Sequence, residues 1–549
     1  MPHKLSRFIA FPHPHFMAFA PLDAWARLLF APAVWISPRY WLRLAFVLFT
    51  SFLGTIASLP ERIVLGVVLR VAAARTGTKL NHKPGVVVIL GYFRSGTTHL
   101  HYLLSCDPNF RTPAWCETLV PQGFRFSWVF LRLFMIPWIS SRRPQDDMAF
   151  GPSWPGEDDF ALNNWAAASS LPWRFILPRE HAHYSRFHSL EGLTARERAR
   201  WRFCQFAFCW KIARLARRRA LLLKSPSHIA RVRALLEVFG PENVKFIHIS
   251  RDPAAVTRSN VAMFERMSVY GLQDPLSPES VRPLIAQEYV DSERRYLHDL
   301  DLIPAGHIAE VRYEDLVADP LGQVKHIYDK LGLTSSPEFE RHALAYLNSA
   351  REYRAVSPPT TPPPQVDSQE IQDEFKTIAS RFGHDRPAIN VVPVPAGGLE
   401  PRERGEAKAI ALACATAFAL ALLWMIQAYL FRARNDWFVW PVGMTIGFVC
   451  IATARVGTRR LGLVAGMLTF LAFAIVIVPN SFLEEYAHRP NYYLADGSII
   501  PWRHWEWYHI FKHTKEHSLA THNVFWVFMG CMSAYRFASR RYVNPPGSV

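Results

Sequence analysis

Between Ala409 and Phe431 no residue carries a charge. A run of roughly 20 apolar residues is long enough to cross a bilayer as a helix. A helix also satisfies its own backbone polar groups, which hydrocarbon cannot do. The run therefore predicts a transmembrane helix. Trp437–Ala454 and Leu461–Val478 are shorter runs that predict a second and a third span, and Asn523–Phe537 is a candidate fourth. Half of the 549 residues are hydrophobic and 13% are aromatic, which excludes a chain disordered throughout.

The remaining regions follow from charge and proline. Residues 1–80 read as a membrane-associated helical region. Every residue between Arg43 and Glu61 is uncharged, a length marginal for a span. The basic flanks Arg39, Arg43, Arg62 and Arg70, with Trp35, Tyr40 and Trp41, suit a helix lying in the interface. A core helix packed on the next domain is the other reading. Met1 to Pro21 is broken by Pro12 and Pro14, so no signal peptide is expected. Residues 84–385 read as an α/β domain, 386–406 as a linker, 407–480 as three spans, and 481–549 as a His- and Trp-rich tail with the candidate fourth.

Val86-Val87-Val88-Ile89-Leu90 is the run expected of a strand buried on both faces. Leu221–Leu223, Lys245–Ile249 and Ile308–Arg312 are further strands, with helical patterns between them. This predicts a parallel sheet flanked by helices. After the first strand comes Gly91-Tyr92-Phe93-Arg94-Ser95-Gly96-Thr97-Thr98. Its glycines have Walker A spacing and open a helix, so backbone amides and the helix dipole would face an anion. Thr97 stands where the Walker lysine belongs. That lysine serves the β/γ-phosphates of a nucleoside triphosphate, so the loop cradles a phosphate but is wrong for ATP. A nucleotide kinase is accordingly the weaker alternative.

Arg94-Ser95-Gly96-Thr97-Thr98 after a hydrophobic strand resembles the 5′-phosphosulfate loop of the sulfotransferase family. His248-Ile249-Ser250-Arg251-Asp252-Pro253, with Ser259 eight residues past Arg251, is similar to that family's 3′-phosphate motif. A guanidinium forks two phosphate oxygens and a hydroxyl takes a third. Leu221-Leu222-Leu223-Lys224-Ser225-Pro226 resembles the family's lysine segment, and Tyr313-Glu314-Asp315-Leu316 its Tyr-Glu-Asp segment beside the nucleotide. The resemblance covers roughly residues 84–335. It is nearest to the large bacterial membrane-linked sulfotransferases and more distant from tyrosylprotein sulfotransferases. It implies a P-loop-like sulfotransferase fold and 3′-phosphoadenosine-5′-phosphosulfate as co-substrate. It further implies donor binding by Arg94, Ser95, Gly96, Thr97, Thr98, Arg251, Ser259 and Tyr313. One departure is the lack of a Gly-x-x-Gly segment near 351–385, which closes over the nucleotide in soluble steroid and phenol sulfotransferases.

Sulfuryl transfer, like phosphoryl transfer, places charge on a leaving oxygen, and Lys224 is the candidate cation. The acceptor hydroxyl needs a base. Glu117, in Glu117-Thr118, resembles the tyrosylprotein sulfotransferase context. Glu157, in Pro155-Gly156-Glu157-Asp158-Asp159-Phe160, resembles a segment of the bacterial relatives. The two are equal candidates, with helix capping as the bland role for either. A histidine base, as in soluble members, has no aligned counterpart. A sulfotransferase fold without activity, as a membrane scaffold, would have lost that base. The reaction calls for no metal. His509, His513 and His517 share one helical face, near His504 and His522; interfacial packing beside Trp502, Trp505 and Trp507 is preferred to a metal site.

The net charge of +17 favours anionic partners, though runs such as Arg217-Arg218-Arg219 are ordinarily solvated faces. The expected partners are the sulfonucleotide, a hydroxyl acceptor and the membrane, with no nucleic acid. The aromatic insert between Pro113 and Trp210 suggests a lipid acceptor; a glycan or a protein tyrosine stays open. Seven scattered cysteines suit a reducing compartment. Arg402, Arg404, Lys408, Arg455, Arg459 and Arg460 fall on one side of the three spans, against Arg432, Arg434, Arg489 and Arg503 on the other. The positive-inside rule then puts the catalytic domain in the cytosol.

Overall fold

The computed structural model describes residues 15–31, 34–127, 143, 145–146, 148–350, 368–393, 406–431, 438–454, 459–488 and 521–538. They fall into two compact units, the first up to residue 398 and the second mostly beyond it.

The first unit is built on a five-stranded sheet: β1 (Val86–Leu90), β2 (Phe110–Arg111), β3 (Ala220–Lys224), β4 (Val244–Ser250) and β5 (Ile308–Arg312). Their order is β2-β3-β1-β4-β5, and every pairing is parallel. Ile89 sits opposite Lys224 on one side, and Leu90 opposite His248 on the other. All five residues of β1 are buried, as are Leu221, Leu222, Leu223, Phe246, Ile247 and Ile249. That burial on both faces suits the continuous apolar runs of β1 and Leu221–Leu223, whereas β4 carries Lys245 and His248 within its apolar residues. Helices Thr97–Leu104, Ala195–Ala216 and Pro320–Leu331 pack on the sheet. From β1 the chain moves first to one side of the sheet and then to the other. β1 is thus a topological switch point, where open α/β sheets bind ligands at their carboxyl edge.

The Trp41–Thr76 helix also belongs to this unit. The helix does not end with the uncharged run; it continues through Pro60 and Glu61 to Thr76. Together with the preceding turn it is long and apolar enough to cross a membrane, as is Ala407–Gln427.

The second unit packs the helices Glu406–Phe431, Val439–Ala454, Arg459–His488 and Thr521–Ala538 around one apolar core. Ala409, Ala413, Ala417 and Ala421 present a small-residue stripe to it. A Cβ on Gly530 would lie 2.6 Å from the Val439 carbonyl oxygen, so glycine permits the close crossing of those two helices. The expected second and third spans are helical, and so is the candidate fourth. His504, His509, His513 and His517 lie outside the described residues, and His522 lies in the last helix.

Candidate active site

The loop after β1 turns on two glycines. At Gly91, φ is +156°, and a Cβ would meet the Ile249 carbonyl oxygen at 2.7 Å. At Gly96, φ is +92°, and a Cβ would run into the Tyr313 ring. Only glycine fits either place. Arg94 adopts φ +69° between them, a conformation uncommon for non-glycine residues. Behind the loop, buried Arg174 donates to the Tyr92 hydroxyl at 2.7 Å and lies 3.9 Å over the Phe93 ring. The loop then feeds the Thr97–Leu104 helix, whose first-turn amides have no intrahelical acceptor. Ser95 Oγ is buried and has no partner among the described residues. An orphaned hydroxyl beside free first-turn amides fits a bound phosphate.

The other strand ends deliver the remaining residues to this loop. Arg251, just after β4, donates to the Arg94 carbonyl at 3.1 Å and stacks 4.3 Å from the Tyr313 ring centroid. Asp252 does not pair with Arg251; it caps the Pro253–Met267 helix by accepting from the Ala255 amide at 2.7 Å. Two turns along that helix, Ser259 accepts from Arg94 Nε at 2.9 Å. Arg94, Arg251, Ser259 and Tyr313 thus form one connected group.

Lys224 closes β3. Its Nζ donates to Thr98 Oγ1 at 3.1 Å and to Glu157 Oε1 at 2.5 Å. Arg143 Nη1 donates to the same Thr98 oxygen at 3.1 Å, and Asp146 bridges Arg143 and Arg94. The charge absent at Thr97 is therefore supplied from β3 and from the aromatic insert. Burial lowers the Lys224 pKa below the usual lysine value, with the Glu157 carboxylate opposing and Arg143 adding to the effect.

The two candidate carboxylates separate here. Glu117 Oε2 accepts from the Ala114 amide at 2.7 Å, while Oε1 pairs with Arg111. It is the cap of its own helix. Glu157 stands at the N-cap of the Asp158–Ala166 helix but makes no cap hydrogen bond, and its carboxylate faces Lys224 instead.

A ladder of buried pairs fixes Glu157 in place. Next to it, Asp158 accepts from Ser225 Oγ at 2.7 Å and meets His228 Nε2 at 3.0 Å. Asp159 accepts from Ser227 Oγ at 3.0 Å and Arg231 Nη1 at 2.7 Å. Three consecutive acidic residues are thereby matched to the segment running from Lys224 to Arg231. Burial alone would raise the Asp158 pKa, but His228, Gln205 and Ser225 hold it below the carboxylate range.

His101, one turn into the loop helix, is fully buried, and neither ring nitrogen has a partner among the described residues. Burial and nearby Lys224 keep its pKa well below the usual histidine value. Sequence reading missed His101, Arg143, Asp146 and the Asp158/Asp159 ladder. The available signal was weak: a run of acids, and an Arg–Asp pair three residues apart in the polar stretch Ser140–Asp147. Among the described residues, no group of three or more His, Cys, Asp or Glu is placed to hold a metal.

A model of the sulfotransferase family matches residues 84–337. The omega-hydroxy-beta-dihydromenaquinone-9 sulfotransferases Stf3 of Mycobacterium bovis and Mycobacterium tuberculosis are 31% identical over 373 residues, covering 66% of this chain and 90% of theirs. This chain is a member of the sulfotransferase family. Carbohydrate sulfotransferase 2 of Homo sapiens is 30% identical over 133 residues, 19% of this chain and 25% of its own. The crystal structure of sulfotransferase STF1 from Mycobacterium tuberculosis H37Rv aligns with a TM-score of 0.44 and 16% identity, over 67% of this chain and 93% of that one. As a sulfotransferase, the chain is an enzyme.

Proposed function

We propose that this sulfotransferase moves a sulfuryl group from 3′-phosphoadenosine-5′-phosphosulfate to the hydroxyl of a membrane lipid. The observation that carries the reading is the meeting of the lysine-free phosphate loop, the Arg251–Ser259–Tyr313 group and the Lys224–Glu157 pair at one sheet edge. The donor supplies the transferable sulfuryl and a bisphosphate leaving group. Ser95 and the loop amides hold its 5′ end, and Arg251, Ser259 and Tyr313 hold its 3′ end. Lys224 moves from Glu157 toward the leaving oxygen, where charge builds. The carboxylate so released takes the acceptor's proton. Aromatic rings crowd the segment carrying Glu157: Trp115 lies 4.9 Å from Phe160 and 5.1 Å from Phe150, between ring centroids. They favour an apolar acceptor, as does the hydroxylated menaquinone in the name of the Mycobacterium relatives.

The acceptor class is tested by incubating the purified chain and sulfur-labelled donor with separate lipid, glycan and protein fractions of the source cells. Label is expected in the lipid fraction; label confined to glycan or protein would overturn the lipid assignment.

The donor site makes its own prediction. Arg251→Ala removes a charge-assisted phosphate contact worth about 2–3 kcal/mol. Calorimetry with adenosine-3′,5′-bisphosphate is expected to show that loss, and unchanged affinity would remove Arg251 from the 3′ site.

The reading also places the catalytic domain in the cytosol, from the six Lys and Arg residues on that side of the spans. A single cysteine introduced in 386–400 is expected to stay unlabelled by an impermeant reagent in intact cells. External labelling would reverse the topology.

A further inference from the structure

We infer that the Trp41–Thr76 helix is an in-plane lipid anchor: it holds one side of the catalytic unit flat on a bilayer surface and does not cross it. Its polarity is inverted. The buried stripe is Val47, Ser51, Gly54, Ser58, Glu61 and Leu69, mostly small or polar residues at helical spacing. The face turned to solvent carries Phe49, Phe52, Ile56, Ile63, Val64 and Val67; Phe49 is 60% exposed and Ile63 61%.

The polar contacts across the buried face explain why the helix cannot leave the domain. Glu61 accepts from Lys211 Nζ at 2.9 Å and from the amides of Arg125, Phe126 and Ser127 at 2.7–3.1 Å. Arg62 donates to Asp23 at 2.6 Å, and the Leu22 amide to Thr55 Oγ1 at 3.0 Å. At Gly54 the missing side chain makes room for the Phe19 backbone. Between Val47 and Ala73 the buried positions run along about 40 Å of helix. A perpendicular crossing would draw the domain surface beneath that length into hydrocarbon, with its backbone amides and charges. Lying flat costs none of this.

The occupant is a lipid surface because of how the exposed face is ordered. Aliphatic and Phe side chains fill its centre. Trp35, 76% exposed, and Trp41 lie at its N-terminal end, and exposed Arg70 and Arg75 toward its C-terminal end. Tryptophan and arginine at the margins of an apolar face are the arrangement of a membrane interface. A protein-binding patch concentrates its aromatic and arginine anchors at the centre instead. The same chain also carries the Ala407–Gln427 helix, of spanning length.

The test uses the full chain in vesicles of phosphatidylcholine and phosphatidylglycerol. Spin labels are placed singly by Phe49→Cys, Ile56→Cys, Ile63→Cys and Val67→Cys, with the wild-type chain as labelling background. Retained binding of adenosine-3′,5′-bisphosphate shows that each variant is folded. Depth is read from collisions with oxygen against a nickel chelate. All four labels are expected at one shallow depth, about 5–10 Å below the headgroups. Depth that rises and falls steadily along the helix would mean a span. Free access by the nickel chelate would mean no lipid contact, and shielding from both reagents a protein partner. Each of these three results overturns the anchor, whatever the enzyme's acceptor proves to be.

Discussion

Glu157→Gln is expected to lower kcat by about 10²- to 10⁴-fold while binding of adenosine-3′,5′-bisphosphate persists, and Glu117→Gln is expected to leave turnover near wild type. The range is that of a positioned general base. The asymmetry comes from what each carboxylate already does. Glu117 is held by Arg111 and by the amide at the start of its own helix, so its loss costs a cap, about 1 kcal/mol of local stability. Glu157 caps nothing and shares Lys224 with the phosphate loop. An amide keeps its shape but takes no proton. Single-turnover rates with the labelled donor separate chemistry from binding. If Glu157→Gln turns over at full rate and Glu117→Gln does not, the assignment is reversed. If both are fully active, buried His101, without a partner among the described residues, becomes the base to test.

Lys224→Met is expected to lower kcat by about 10²- to 10³-fold, the cost typical of losing a preorganised stabiliser of transition-state charge. The Lys224 ammonium lies between Thr98 of the loop and Glu157, so it stands where a leaving oxygen held by that loop would gain charge. The substitution also strands Glu157 in a buried site, a loss of about 3–5 kcal/mol when one partner of such a pair is removed. Thermal melts must therefore accompany the kinetics. The double variant with Glu157→Gln is the control, because it removes both charges. A folded Lys224→Met protein with wild-type kcat would exclude Lys224 from the reaction.

Much of the candidate site's geometry was legible in the sequence, for reasons tied to particular residues. Val86–Leu90 and Leu221–Leu223 are apolar on both faces, and Gly91 and Gly96 stand at phosphate-loop spacing directly after the first, so strand and loop announce themselves locally. β2, only two residues long, left no pattern to read. Long-range pairing was invisible as well. Asp158 and Ser225 are separated by 67 positions, and Asp159 and Arg231 by 72. Nothing local distinguishes such acids from surface charges. Glu61 misled in the same way: read as the end of an apolar run, it is a buried charge matched by Lys211, 150 residues on. The choice between Glu117 and Glu157 needed the fold, because each begins a helix and only the hydrogen bonds show which one serves as a cap.

The most direct measurement follows sulfur and nucleotide together. The purified full-length chain is given 3′-phosphoadenosine-5′-phosphosulfate labelled in its sulfur, with a lipid extract of the source cells. Labelled lipid and adenosine-3′,5′-bisphosphate are counted over time. The account predicts that both products appear one for one, that ATP does not replace the donor, and that neither product forms with Glu157→Gln. No transfer from the sulfonucleotide by a folded, bisphosphate-binding protein, or phosphoryl transfer from ATP in its place, would contradict it.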